Sequence, residues 1–274
     1  MNEETKKTAC VTGATSGIGA AFARKLAELG YDLLLTGRRE EKIRELAREI
    51  ISKTDVKVEV MIVELGQEKA LNELVSKVKE AKNLDFLINN AGFAVRNFFH
   101  QENFSIHRDM LAAHVMAPVR LTHAALPGMV ERGKGAVINI SSTSSFTPFP
   151  KNAMYAATKC FLNLFSESLH LELKGTGVKI QVLCPGMTRT DFHEKMGFKK
   201  EEIYKNKGLL KAMEPEEVVD VSLKCLEKDK PVCIPGLHNK ITIMLAKLIP
   251  RSFLYRLLLF RRRRRQKKQK LDRE

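Results

Sequence analysis

Tyr155 and Lys159 stand four residues apart in "MYAATKCF", Met154 to Phe161. On a helix, side chains at i and i+4 share a face. A phenol is a poor proton donor at neutral pH, because its pKa lies at about 10. A cation a few ångströms away stabilises the phenolate and lowers that value. The pair is therefore either a surface contact of no consequence or an acid and the charge that tunes it. Reduction of a carbonyl by hydride needs such a proton donor at the oxygen, and a further group to hold that oxygen. Ser142 in "INISSTSS" lies 13 residues before Tyr155. It closes an apolar run, and open α/β sheets bind their ligands beyond the carboxyl ends of their strands.

A second cluster suits a phosphate. "TGATSGIG" runs from Thr12 to Gly19, with glycines at 13, 17 and 19 and with Ser16 and Ile18 between them. Glycine permits a close backbone approach, and a helix N-terminus behind it offers unpaired N–H groups to a pyrophosphate. The G-x-x-x-G-x-G spacing differs from the common G-x-G-x-x-G fingerprint, and a glycine turn of purely structural use is the competing reading. Further on, the chain reads Thr36, Gly37, Arg38, Arg39. NAD sites place an acid at the end of the second strand to bind the ribose 2′-hydroxyl. None stands here, and the planar fork of Arg38 suits a 2′-phosphate. NADP(H) is expected over NAD(H). Solvated arginines at a helix start would not account for the missing acid.

The elements that must position these groups alternate. Apolar runs at 8–13, 31–37, 56–65, 84–90, 135–141, 178–186 and 231–236 read as strands. Helical patterns at 16–30, 40–52, 68–81, 105–132, 153–174 and 215–228 separate them. Nearly continuous apolar strands belong to parallel sheets covered on both faces. The expected class is α/β: a Rossmann-like, doubly wound, parallel seven-stranded sheet with helices on both faces. Residues 1–239 are read as one NADP-binding catalytic domain, with a substrate lid at about 190–213, and residues 240–274 as a basic amphipathic tail.

In these motifs the chain resembles the short-chain dehydrogenase/reductase superfamily. The carrying residues are Thr12 to Gly19, "NNAG" at 89–92, Ser142 with "YAATK" at 155–159, and "PGMTRT" at 185–190. The resemblance spans about Lys7 to Gly236 and implies roles. Gly13, Ser16, Gly17, Ile18 and Gly19 would wrap the pyrophosphate, and Arg38 would meet the 2′-phosphate. Glu64 and Leu65 would border adenine, although the family usually has Asp at the first position. Asn90 would border the adenine ribose. Pro185, Gly186 and Thr188 would frame the nicotinamide. Ser142 would polarise the carbonyl, Tyr155 would transfer the proton, and Lys159 would bind the nicotinamide ribose and depress the Tyr155 pKa. One position departs. In "AHVMAPVRLT", His114 stands where the family commonly has Asn. That residue holds a helix distortion whose freed carbonyl anchors a water in the proton relay. His114 is expected either to hold the same kink through a ring nitrogen, to relay protons itself, or to be replaceable.

Phe192, Met196, Phe198, Tyr204, Leu209 and Leu210 fall in the lid segment, and Phe93, Val95, Phe98 and Phe99 follow "NNAG". They either line an apolar pocket or only pack the lid. A lipophilic carbonyl is expected, such as a 3-oxoacyl chain or a steroid-like ketone, with Ser142 and Phe192 touching it. A non-catalytic dinucleotide sensor and a membrane- or RNA-associated scaffold are the competing classes.

The formal net charge of +15 is uneven. From Lys240 onward there are 13 Lys/Arg and two acids, so the first 239 residues carry only +4. That balance argues against nucleic-acid binding by the body. Residues 241–260 are apolar but interrupted by Lys247, Pro250, Arg251 and Arg256, and Arg261–Arg265, Lys267, Lys268 and Lys270 follow. An apolar helix beside a polybasic run suits an anionic membrane surface. A helix folded back on the body, a dimer contact and nucleic-acid contact are the alternatives. Five cysteines without metal-ligand spacing read as buried thiols in a reducing compartment, with no metal. No apolar signal run opens the chain, so a cytoplasmic protein is expected, with peripheral attachment to a membrane surface as the alternative that the tail leaves open. The resemblance also implies a homodimer or homotetramer.

Overall fold

The computed structural model describes residues 6–194, 196, 212–256 and 258–260. Seven parallel strands form one sheet in the order β3-β2-β1-β4-β5-β6-β7. They are β1 (Thr8–Thr12), β2 (Asp32–Gly37), β3 (Val58–Ile62), β4 (Leu84–Asn89), β5 (Gly135–Ile140), β6 (Val178–Leu183) and β7 (Val232–Cys233). The helices are α1 (Gly17–Glu28), α2 (Glu40–Lys53), α3 (Glu68–Glu80), α4 (Phe104–Leu111), α5 (Ala117–Glu131), α6 (Ala153–Glu172), α7 (Asp191–Glu194), α8 (Pro215–Glu227) and α9 (Leu237–Leu248).

Side chains alternate across a strand, and here they feed two cores. Ala9, Val11, Leu33 and Leu35 meet Phe22 and Leu26 of α1, Ile43 of α2 and Val218 of α8. Cys10, Leu34 and Val137 meet Leu74 of α3 and Leu121 and Met129 of α5 on the other face. Helices therefore cover both faces, as the unbroken apolar strands require. The order of strands reverses direction beside β1, between its neighbours β2 and β4, and a crevice opens there beyond the strand ends.

The differences from the sequence reading are local. The run at 56–65 pairs only over Val58–Ile62, and that at 178–186 only over Val178–Leu183. The helix expected over 105–132 is not one α-helix. A π-helical turn, Ala112–Met116, separates α4 from α5. Such turns insert a residue into the hydrogen-bond ladder and often accompany functional sites. The thiols are not uniformly buried: Cys10, Cys184 and Cys233 are, but Cys225 is half-buried and Cys160 exposed. Most of the lid, with Phe198, Tyr204, Leu209 and Leu210, lies outside the described residues, as does the run from Arg261 onward. Among the described residues no helix is long and apolar enough to cross a membrane.

Candidate active site

The phosphate loop is built by two glycines and one asparagine. The chain leaves β1 through Gly13 (φ 65°) and Gly17 (φ 58°), a left-handed backbone that glycine adopts without strain. A Cβ on Gly13 would lie 2.7 Å from Ala91 Cα. Asn90 Nδ2 donates to the carbonyls of Thr12 and Gly13, each at 3.0 Å. Thr12 Oγ1 accepts from the N–H groups of Asn90 and Ala91. The loop after β1 is thereby tied to the end of β4. Asn90 borders the cavity, but its amide is committed to the loop's own backbone. Ser16 precedes α1 without capping it through its side chain, and the first turn of α1 holds no acid. A cradle that a Cβ would fill, with uncapped helix amides behind it, fits a pyrophosphate.

A cavity of about 250 Å³ runs from this loop to the end of β5. Gly13, Ser16, Gly17 and Ile18 line it, as do Arg38, Glu64, Leu65 and Asn90. Ser142, Tyr155, Lys159, Pro185, Gly186, Thr188 and Phe192 also line it. Of the expected site residues, Gly19 and His114 lie behind the walls. A Cβ on Gly19 would fall against the Asn90 amide and the Gly13 carbonyl, so Gly19 lets the loop close on itself. Thr188 is buried and donates to the Gly186 carbonyl at 3.2 Å.

At the ribose end the two arginines differ. Arg38 pairs with Glu64 at 3.3 Å, its side chain 62% exposed. Arg39 Nη2 donates to Thr15 Oγ1 at 2.6 Å and to Ser16 Oγ at 2.7 Å. The sequence reading singled out Arg38 and missed Arg39 and Thr15. The adjacent Arg-Arg was the available signal, but only folding brings the second guanidinium to the loop hydroxyls. Glu64, standing where the family has Asp, is an ion-pair partner of Arg38.

At the other end, Ser142 follows β5 and Tyr155 lies in the first turn of α6. Ser142 Oγ accepts from Ser144 N–H at 3.1 Å, and its hydroxyl also bonds to the Tyr155 phenol. Tyr155 is 9% exposed. Burial pushes its phenol up to about 12, against a smaller lowering by the Ser142 hydroxyl. The Lys159 ammonium lies 5.7 Å from the Tyr155 ring centroid and donates to the Ile140 carbonyl at 2.7 Å. Burial pushes Lys159 down to about 8. The expected depression of Tyr155 by Lys159 is not seen: burial raises the phenol, and the Ser142 hydroxyl is what opposes it. The Phe192 ring lies 5.8 Å from that of Tyr155, and Met196 packs in the same cluster with Phe93.

His114 sits in the π-helical turn, fully buried. Its Nε2 accepts from Phe93 N–H at 3.0 Å. A backbone N–H can only donate, so Nε2 is unprotonated and Nδ1 carries the hydrogen. Nδ1 faces Thr158 Oγ1 at 3.0 Å, and the Thr158 hydroxyl donates to the Tyr155 carbonyl at 3.0 Å. Burial, and then the Lys159 charge, push the imidazole well below its ordinary pKa. It is neutral at physiological pH, and both ring nitrogens are engaged. A Cβ on Gly92 would lie 2.7 Å from His114 Nε2, so this ring needs glycine at the end of "NNAG".

A sheet with a phosphate cradle at its switch point and a serine, tyrosine and lysine around one cavity has known counterparts. The short chain dehydrogenase family is matched over residues 7–201, and the chain belongs to that family. Sulfoacetaldehyde reductase 2 of Chromohalobacter salexigens is 37% identical over 185 residues, 66% of this chain and 73% of that protein. The very-long-chain 3-oxoacyl-CoA reductase of Anas platyrhynchos is 34% identical over 65% of this chain and 58% of its own. Among solved structures, a short-chain dehydrogenase from Sphingobium yanoikuyae in complex with NADPH superposes with a TM-score of 0.79 at 32% identity. That match covers 85% of this chain and 88% of the other. The protein is an oxidoreductase acting on CH–OH or C=O groups.

Proposed function

We propose that the protein is an NADP(H)-dependent reductase of a lipophilic carbonyl compound, such as a 3-oxoacyl or steroid-like ketone. The observation that carries this reading is the shared cavity: Ser142, Tyr155 and Lys159 line one end, and Arg38 and Arg39 the other. The glycine loop and the α1 amides would hold the pyrophosphate, the two arginines the 2′-phosphate, and Pro185, Gly186 and Thr188 the nicotinamide. When bound, the reduced nicotinamide supplies hydride to the carbonyl carbon.

The chain's own groups do the rest. Ser142 donates its hydroxyl proton in a hydrogen bond to the carbonyl oxygen. Tyr155 Oη gives that oxygen its proton as negative charge develops there, and the phenol is then reprotonated from solvent. A phenol held near 12 stays protonated at neutral pH, which suits the reductive direction. Lys159, ionised below its value of about 8, stabilises the phenolate formed in that step. His114 acts by position: it ties the loop after β4 to α6 beside Tyr155. Phe93, Phe192 and Met196 give the carbonyl end an apolar wall, and the similarity to a very-long-chain 3-oxoacyl-CoA reductase supports the same substrate class.

Domain limits follow from this reading, with residues 1–239 as the catalytic domain and 190–213 as its lid. Leu164 and Leu171 of α6 are 70% and 74% exposed, and Phe161 stacks on Phe165 beside them. That face supports pairing of two copies through the long helices. The test is loss of NADPH absorbance with a panel of long-chain ketones and aldehydes, run also with NADH and with Tyr155→Phe. Turnover with NADPH that the variant abolishes is the expected result. Cofactor binding without turnover of any carbonyl would overturn the reading.

A further inference from the structure

We infer that α9 and the described residues after it, up to Phe260, form a platform that lies in the plane of an anionic membrane, beside the catalytic cavity. The last step, delivery of substrate from the lipid, rests on the carbonyl-reductase reading; the platform itself does not.

The first observation is which face of α9 is exposed. Leu237, Ile241, Met244, Leu245 and Leu248 follow a spacing of three and four residues and so form one stripe. In a helix packed on its own body, that stripe would be inside. Here Leu237 is 72% exposed, Leu248 74%, and Met244 and Leu245 more than half. Ile243, on another face, is the buried residue of this helix. The apolar face thus points away from the protein. Past Pro250, Phe253, Leu259 and Phe260 are also at least half exposed.

Charge says what covers it. Between Leu237 and Leu271 the chain holds no acid, while Lys240, Lys247, Arg251 and Arg256 border the apolar residues and Arg261–Arg265, Lys267, Lys268 and Lys270 follow. A second copy related by a two-fold axis would set this basic segment against itself, and like charges would meet. Nucleic acid would use the cations but leave the apolar stripe in water. An anionic lipid surface takes both, with the stripe at the acyl boundary and the cations among the headgroups.

Position links the platform to the chemistry. α9 packs on the turn Thr143–Phe146, which directly follows Ser142. Lys247 Nζ lies 5.2 Å from the Phe146 ring centroid. Asn239 donates to the Pro235 carbonyl at 2.7 Å, and its side chain fills the space beside Gly186, a cavity wall. Two walls of the cavity are thereby fixed to the platform. A platform so placed would bring a substrate dissolved in the bilayer close to these walls.

The test uses the full chain and a variant carrying Ile241→Ser, Leu245→Ser and Leu248→Ser. All three positions are solvent-facing and outside the catalytic cavity, and unchanged NADPH binding checks that the variant is folded. The chain should sediment with phosphatidylcholine vesicles that contain phosphatidylserine, and not with phosphatidylcholine alone. The variant should lose that sedimentation. Reduction of a long-chain ketone should rise about tenfold with anionic vesicles, as expected when apolar substrate and enzyme share an interface, while a water-soluble ketone shows no rise. Equal sedimentation with neutral vesicles, or none with either, overturns the proposal. So does a dimer that the three serines dissociate, or retention of RNA without vesicle binding. Absence of carbonyl turnover with intact sedimentation would instead remove the reductase reading and leave the platform standing.

Discussion

His114 Nδ1 lies 3.0 Å from Thr158 Oγ1, and the Thr158 hydroxyl in turn donates to the Tyr155 carbonyl. Through this pair the π-helical turn grips the helix that carries the phenol. The opposite nitrogen holds Phe93 N–H, so one neutral ring joins the loop after β4 to α6. Replacement by alanine would remove the acceptor of the half-buried Phe93 N–H, a net loss of about 0.5–1.5 kcal/mol. His114→Ala is expected to lower the melting temperature and kcat together. Because the ring does not titrate near neutrality, the rate profile between pH 5 and 7 should keep its shape in His114→Asn. A wild-type acidic limb that disappears in this variant would assign His114 to the proton relay instead.

Gly92 and His114 form a second testable pair. A Cβ at Gly92 would approach Nε2 to 2.7 Å, well inside contact distance. Gly92→Ala should destabilise the protein by about 1–3 kcal/mol, as overpacking does. Added to His114→Ala it should cost less than the sum of the two, since the clash is gone. Denaturant melts of the four proteins measure this. Additive effects would mean that the glycine is needed for another reason.

The pH dependence of reduction should be set by Lys159. Tyr155, near 12, stays protonated across the working range, whereas Lys159, near 8, loses its charge within it. The rate of ketone reduction should therefore fall above about pH 8. Stability should move the other way. Lys159 has a lower value folded than its ordinary 10.5, so the unfolded chain binds more protons between these values and stability rises with pH through that window. Lys159→Met should flatten both dependences. An alkaline limb retained in that variant would assign it elsewhere.

Arg38 and Arg39 should be separable by cofactor. Each charge-assisted contact to a 2′-phosphate is worth about 1.5–3 kcal/mol. Arg38→Ala and Arg39→Ala should each weaken NADPH about 10-fold to 150-fold at such energies while leaving NADH affinity within about threefold. Arg38→Asp should shift preference toward NADH. Titration of intrinsic cofactor fluorescence reads all of these. Equal losses for the two cofactors would move the arginines away from the 2′-phosphate.

Much of this molecule was legible before folding. Alternation of apolar runs and helical periods gave seven parallel strands, because a strand buried on both faces must be apolar throughout. Glycines at 13 and 17 marked the phosphate loop, because a left-handed backbone excludes most other residues. The Tyr155–Lys159 spacing placed both groups on one helical face, because 3.6 residues make a turn. Other features depend on groups far apart in the chain and had no local signature. Arg39 meets Thr15 across 24 residues, and its side chain has too many rotamers for spacing to place it. The value of Tyr155 is governed by how much water folding removes, which no motif records. The two bonds of His114 need a turn 21 residues before it and a helix 44 residues after it. The sequence by itself determined the sheet, the loop and the placing of Tyr155 and Lys159 on one helical face, all local or periodic; the tertiary structure decided the charges, the clamp and the outward apolar face of α9, because burial and long-range contact set them.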